Sequence, residues 1–292
     1  MFMRCIPQEQ GYKILQDIHA GICGHHAGAR SIVHKAYRHG FYWLTAHADA
    51  TDIVRRCVGC QKFAHQSHLP ASALKTIPLT WPFAVWGLDM VGPFKRARGS
   101  LTHLLVALDK FTKWVEVKPV AKCDGATATR FLKEIIFQCG YPHSIITDNG
   151  TNFAVGEMAQ FCRTQGIRLD VASVAHPESN GQAERANQSM LAGLKPRLQV
   201  QLERSPGCWI DELPSVLWGI RTTPNRSTGF TPFFMVYGAE AVMPTDLEHD
   251  SPRVVNYVKE DNESSRQLSV DLLEEARELA LARTTIYQQG IR

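Results

Sequence analysis

Four residues near the start constrain this chain more than any others. His19 and His26 are separated by six residues, and thirty residues later Cys57 and Cys60 form a C-x-x-C. Two imidazoles and two thiolates make a tetrahedral zinc set, and the C-x-x-C puts both sulfurs on one turn. His25 competes with His26 for the second position. Fewer than seventy residues with short helices bury only a small core, so a structural metal supplies what burial cannot. Zinc in such modules contributes on the order of 10–16 kcal/mol of apparent binding energy, realised as folding energy. A redox role for the C-x-x-C is disfavoured because no βαβ pattern surrounds it. With four protein ligands the site is closed, and therefore structural rather than catalytic.

The periodicity around these residues predicts helices over Tyr12–His19, over the RSIVHKAYRHGFYW stretch to about Gly40, and over Asp49–Arg56. His34, His39, His47, His65 and His68 read as surface or packing residues. The module is assigned to residues 1–68. Residues 64–82 lack sustained periodicity and are rich in Pro, Ser and Ala, and 69–82 are assigned as a linker.

After the linker the pattern changes to strands. VWGLDMVGPF is a short β-run containing Asp89. LTHLLVALDKFTKWVEVKPV reads as a hairpin with a strand ending near Leu108, a turn through Asp109-Lys110 and a strand from Trp114. GATATRFLKEIIFQCG predicts a helix with Phe131, Leu132, Ile135 and Ile136 inward and Gly140 after its end. SIITDNG is a buried strand, VGEMAQFCRTQG a helix, IRLDVAS a fifth strand, and SNGQAERANQSMLAGL a helix. Three strands followed by alternating helices and strands predict a mixed five-stranded sheet with flanking helices. This domain is assigned to residues 83–245.

Catalytic groups in such sheets gather at strand ends. Asp89 lies within an apolar strand, where a carboxylate is costly unless paired or liganded. Asp148 directly follows Ile145-Ile146-Thr147, and Glu184 sits one turn into the last predicted helix. Singly, each has an ordinary reading as a turn or surface acid. Together they form a cage for two magnesium or manganese ions, which prefer oxygen ligands and keep positions open for phosphate. Asp109 is a rival ligand but reads as a turn residue, and no partner for Asp170 is evident.

The composition is that of an ordinary soluble globular protein, with 44% hydrophobic and 21% charged residues. No apolar run approaches the roughly 18 residues of a membrane span, and the start has no signal-peptide core. An intracellular location is the default expectation. Net charge is +4, distributed as +5 over residues 1–80, +3 over 81–245 and −4 over 246–292. Metal neutralisation of three acids leaves the middle segment effectively more basic, which suits a polyanion. Of eight cysteines, the six outside the C-x-x-C read as free thiols.

The sequence resembles retroviral-type integrases, specifically the polyprotein integrases of gypsy-class long-terminal-repeat retrotransposons such as those of plants. The resemblance rests on HAGICGHHAG, CVGCQKF, WGLDMVGPF, ITDNGTNF, HPESNGQAERANQ and WGIRTTPNRSTGFTPFFMVYGAEAVMP, in the family's order over residues 12–245. It implies a helical zinc-binding domain ahead of a ribonuclease-H-like α/β core. His19, His26, Cys57 and Cys60 match the zinc positions, and Asp89, Asp148 and Glu184 the catalytic acids. The implied reactions are trimming of the element's 3′ DNA ends and their joining to target DNA. Asn180, Asn187, Lys195 and Arg197 are implied as DNA contacts, with Arg221 and Arg226 as further candidates. A homo-oligomer on DNA and a nuclear site of action, after a cytoplasmic particle stage, are also implied. No membrane partner is expected.

Two departures shape the expectation. Pro196 interrupts the helix that carries Glu184. Residues 246–292 read as a polar linker followed by an amphipathic helix, where the family usually continues into a small DNA-binding barrel. The expectation is therefore a fragment of a longer polyprotein. An inactive relic that keeps DNA binding, or a ribonuclease-H-type nuclease, are the alternatives.

Overall fold

The computed structural model of the protein describes residues 3–21, 24–62, 81–122, 124–147, 156–171, 209–256 and 259–290. These fall into two compact units: one holds 3–62 with 211–283, and the other holds 81–171 with Trp209, Ile210 and the end of the chain, each as far as it is described. Among the described residues no helix is long and apolar enough to cross a membrane.

In the first unit, α1 (Gln8–Ala20), α2 (Ala29–Arg38) and α3 (Ala46–Arg56) enclose a core that includes Ile14, Leu15, Ile32, Phe41, Trp43 and Ile53. α1 and α3 begin earlier than the periodicity suggests, whereas α2 ends at Arg38, short of the expected Gly40. A pair of two-residue strands, β1 (Arg4–Cys5) and β2 (Phe41–Tyr42), lies parallel and was not legible in the sequence. The Trp43 indole lies so close to Gly11 on α1 that a Cβ there would overlap its ring. The indole N–H donates to Asp49 Oδ2 at 2.9 Å, Thr45 Oγ1 donates to the same oxygen at 2.7 Å, and Gln8 Nε2 donates to Oδ1 at 2.9 Å. Burial alone would raise the Asp49 pKa, but these three donors outweigh it and hold the carboxyl below its ordinary value.

The C-terminal stretch packs with these helices. The sequence assigns 83–245 to the sheet domain and reads 246–292 as a polar linker and an amphipathic helix. In the structure, Lys35 Nζ donates to Thr222 Oγ1 at 2.9 Å, Arg38 pairs with Glu240, and His39 Nδ1 pairs with Asp246 at 2.8 Å. Arg38 also donates to Gly229 O at 2.8 Å. The helices involved are α7 (Trp209–Arg221), α8 (Pro232–Tyr237), α9 (Pro244–Glu248), α10 (Pro252–Val255) and α11 (Lys259–Gly290). Thr231 caps α8 by accepting from Phe234 N at 2.9 Å while donating to Glu240 Oε2 at 2.7 Å. Amphipathic periodicity shows that a helix has a buried face, but not which neighbour covers it.

The second unit is a five-stranded sheet in the order β5-β4-β3-β6-β7. Its strands are β3 (Val85–Val91), β4 (His103–Asp109), β5 (Val115–Val120), β6 (Ser144–Thr147) and β7 (Arg168–Val171). β3 is central, antiparallel to β4 and parallel to β6. This is the expected mixed sheet. α5 (Gly125–Cys139) buries Phe131, Leu132, Ile135 and Ile136, as the 3.6-residue spacing predicts. Asp124 Oδ1 caps it, accepting from Thr127 N at 2.9 Å, and Gly140 leaves it with φ 87°. α6 (Glu157–Thr164) links β6 to β7. The Trp209 indole donates to Lys95 O at 2.8 Å and stacks on Phe94.

Two outcomes are expected. Gly11→Val should lower the stability of the first unit by roughly 1–3 kcal/mol, because the added methyls meet Trp43; denaturant unfolding followed by circular dichroism measures this. Asp246 supplies the second. Burial raises its pKa, but the hydrogen bond and charge of His39, the Met243 N–H and Arg253 outweigh it and depress the folded value. A depressed carboxyl contributes stability above its unfolded pKa, about 3.9, and that contribution is lost as pH falls through the folded value. Melting temperature should therefore drop on acidification below about pH 4 less steeply in Asp246→Asn than in wild type.

Candidate metal centres

The end of α1 presents His19, which is buried. The chain then turns back so that His26 N donates to His19 O at 3.0 Å. A Cβ on Gly24 would lie 2.5 Å from that same carbonyl oxygen, so the turn requires glycine there. His26 itself takes a left-handed φ of 55°. On the other side, α3 stops at Cys57, whose ψ of 112° breaks the helix. α4 (Val58–Lys62) begins immediately and carries Cys60 one turn in. The two cysteines thus bracket a helix start.

These elements converge. Ligand atoms from His19, His26, Cys57 and Cys60 all lie within 4.8 Å of one another. Cys57 Sγ is 3.3 Å from His26 Nδ1, Cys60 Sγ is 3.4 Å from His19 Nε2, and Cys60 Sγ is 3.9 Å from His26 Nδ1. Zn–S bonds of about 2.3 Å and Zn–N bonds of about 2.0–2.1 Å at tetrahedral angles imply S···N edges of roughly 3.5 Å. The donor set therefore fits zinc. The geometry selects His26 over His25.

The imidazoles use different nitrogens. His19 Nδ1 lies 3.2 Å from Ala27 O, and donating there leaves Nε2 with its lone pair towards the cysteines. His26 turns Nδ1 inward instead. Burial lowers the His19 pKa, only partly offset by the Ala27 bond, and so favours the neutral ligand form. Burial, with the neighbouring Cys57, pushes the Cys60 thiol up to about 12. Without a cation the Cys60 thiol holds its proton, and binding a dication releases it.

The acidic candidates are described only in part. Asp89 sits half-buried on central β3, opposite Val106 of β4, and its Oδ1 accepts from Met90 N at 2.7 Å. On the parallel side Gly87 pairs with Ile146, and described β6 ends at Thr147. Asp148, Glu184, Asn180, Asn187, Lys195, Arg197 and Pro196 lie outside the described residues.

Asp109 is the turn residue the sequence suggested. It is fully buried, and Oδ2 accepts from Thr112 N at 2.8 Å and Thr112 Oγ1 at 2.5 Å. Burial raises its pKa, against the pull of those bonds. It pairs with Trp86, three residues along β3 from Asp89, or roughly 10 Å. Asp170 has a partner after all, since its Oδ2 pairs with Arg168 NH2 at 2.9 Å on the edge strand. Arg221 closes α7, and Arg226 is exposed in the turn beyond it. The Ala27 carbonyl and the need for Gly24 were not legible in the sequence, since both depend on how the loop folds back on α1.

Cys60→Ser and His26→Ala should each reduce bound zinc well below one equivalent per chain and reduce helical signal, as read by elemental analysis and circular dichroism. His25→Ala should leave both unchanged. Lowering pH should release the metal as thiolates and imidazoles take up protons.

Comparison with known proteins gives the family. The Integrase zinc binding domain model matches residues 6–66, and the Integrase core domain model matches 80–177. Gypsy retrotransposon integrase-like protein 1 of Bos taurus is 25% identical over 94% of this chain and 52% of its own length. The Pro-Pol polyprotein of simian foamy virus type 3 is 26% identical over 70% of this chain and 17% of that protein. The chain thus spans about half or less of these relatives. In fold it is similar to a chain of the simian T-cell lymphotropic virus intasome solved with PP2A regulatory subunit B56 gamma, with TM-score 0.53, 19% identity, and coverage of 79% of this chain and 74% of that one. With a zinc-binding module and a five-stranded core in the matching order, the chain belongs to the retroviral-type integrases of retrotransposons.

Proposed function

We propose that this chain is the integrase of its element, a polynucleotidyl transferase that trims the element's 3′ DNA ends and joins them to target DNA. The observation that carries the reading is the placement of Asp89. It is a carboxylate on the central strand of the core, beside the parallel strand whose described end is one residue short of Asp148. Extending the Gly87–Ile146 register by two residues would set Asp89 against Asp148 on the same sheet face. Glu184, from the helix expected downstream, would complete the set. Bound magnesium or manganese would supply charge neutralisation at the scissile phosphate and an activated attacking oxygen.

The protein's own contribution is to hold three mutually repelling carboxylates close together on a rigid sheet. Asn180, Asn187, Lys195 and Arg197 would position the element's DNA ends beside them, and phosphate contacts of this kind fix register without reading bases. The zinc module, closed by four protein ligands, serves structure. Assembly as a homo-oligomer on paired DNA ends, and action on chromosomal DNA in the nucleus, complete the reading.

A strand-transfer assay with end-processed duplex and magnesium or manganese tests it. Asp89→Ala should lower joining at least about a thousandfold, equivalent to roughly 4 kcal/mol of barrier. Asp109→Asn, which keeps an acceptor for Thr112, should leave joining within a few-fold of wild type. Full joining by Asp89→Ala would sink the assignment. Cleavage without joining by the wild type would favour a nuclease.

A further inference from the structure

A second group of ligand atoms lies in the first unit, apart from the four-ligand set. Asp17 on α1, Glu248 at the end of α9 and His249 just after it each offer one atom within 4.8 Å of the others. His249 Nε2 faces Asp17 Oδ2 at 3.7 Å, too far for a hydrogen bond. That nitrogen is buried and has no hydrogen-bond partner among the described residues. Buried polar atoms are normally satisfied, so a buried ring nitrogen that faces a carboxylate at 3.7 Å without a hydrogen bond points to something that binds between them.

The ring is held in place from several sides. Phe41 meets it edge-on with centroids 6.4 Å apart, and His249 N donates to Thr245 O at 3.1 Å. Arg4 donates to the carbonyls of His249 and Asp250 at 3.3 and 3.0 Å. Glu248 is exposed and Asp17 partly so, which leaves an approach from solvent and room for water ligands. One imidazole and two carboxylates suit a borderline transition metal better than magnesium or calcium, which favour oxygen alone.

We propose that Asp17, Glu248 and His249 bind a divalent transition-metal ion of the zinc or manganese class, with water completing its shell. The ion clamps the end of α9 to α1. It thereby fastens the 211–283 stretch to the helices that carry the zinc ligands.

Cobalt(II) titration of the full-length chain tests this, in the Asp89→Ala background so that the proposed acid cage contributes little. One equivalent should show the intense thiolate-to-cobalt charge transfer of the cysteine site, and a second should bind without that signature. Glu248→Ala, a surface change, and His249→Ala should both keep the thiolate signal, which also reports that the unit is folded. Both should lose the second equivalent or weaken it at least about tenfold. A wild-type titration that ends at the thiolate equivalent would mean that Asp17 and His249 form an ion pair only, and would overturn the proposal. So would a second equivalent that survives in both variants.

Discussion

The first unit depends on one electrostatic requirement: two thiols and two imidazoles held within a few ångströms are best reconciled by a cation. Desolvation holds the proton on the half-buried Cys60 thiol and favours the neutral His19 ring. A dication inverts that preference and fixes the ends of α1, α3 and α4 at one point. A metal there would close one end of the small helical core around Ile14, Ile32 and Trp43, which the Asp49 hydrogen bonds support elsewhere.

Those helices also carry the polar anchors of the C-terminal stretch. Lys35, Arg38 and His39 are consecutive or nearly so at the end of α2, and each reaches a different part of 211–283. A buried ion pair is stabilising only when geometry and additional hydrogen bonds offset desolvation. Asp246 meets that condition, since it accepts from His39 and from Met243 N at 2.8 Å each. Arg38 does too, through Glu240 and the Gly229 carbonyl, while its guanidinium sits 5.5 Å from the Phe230 ring centroid. Such pairs define where the stretch docks more sharply than apolar contact would, because a shifted alignment leaves charges buried alone.

In the sheet unit the organising element is β3. It changes from an antiparallel neighbour on one side to a parallel one on the other, and Asp89 lies near its carboxyl end. That topology separates two aspartates of similar sequence context. Asp109 closes a turn at the far end of the hairpin, its Oδ2 accepting from Thr112, whereas Asp89 is at the end where described β6 stops at Thr147. The chemistry expected of each follows from which end of the sheet it occupies.

Much of this was legible in the residues alone. The His19, His26, Cys57 and Cys60 set follows from donor type and spacing, α5 from its apolar period and the glycine after its end, and the five strands from β-rich runs between turn signals. These are local properties, encoded within a few turns or a few strand residues. What only the tertiary structure decided is non-local. His26 rather than His25 joins His19, Cys57 and Cys60 because the loop folds back on the His19 carbonyl. Residues 211–283 join the helical unit because Lys35, Arg38 and His39 find Thr222, Glu240 and Asp246 roughly two hundred residues away. Asp17 meets His249 for the same reason. Periodicity marks a face as buried or a residue as a donor, but the partner is chosen by packing, which depends on every element at once.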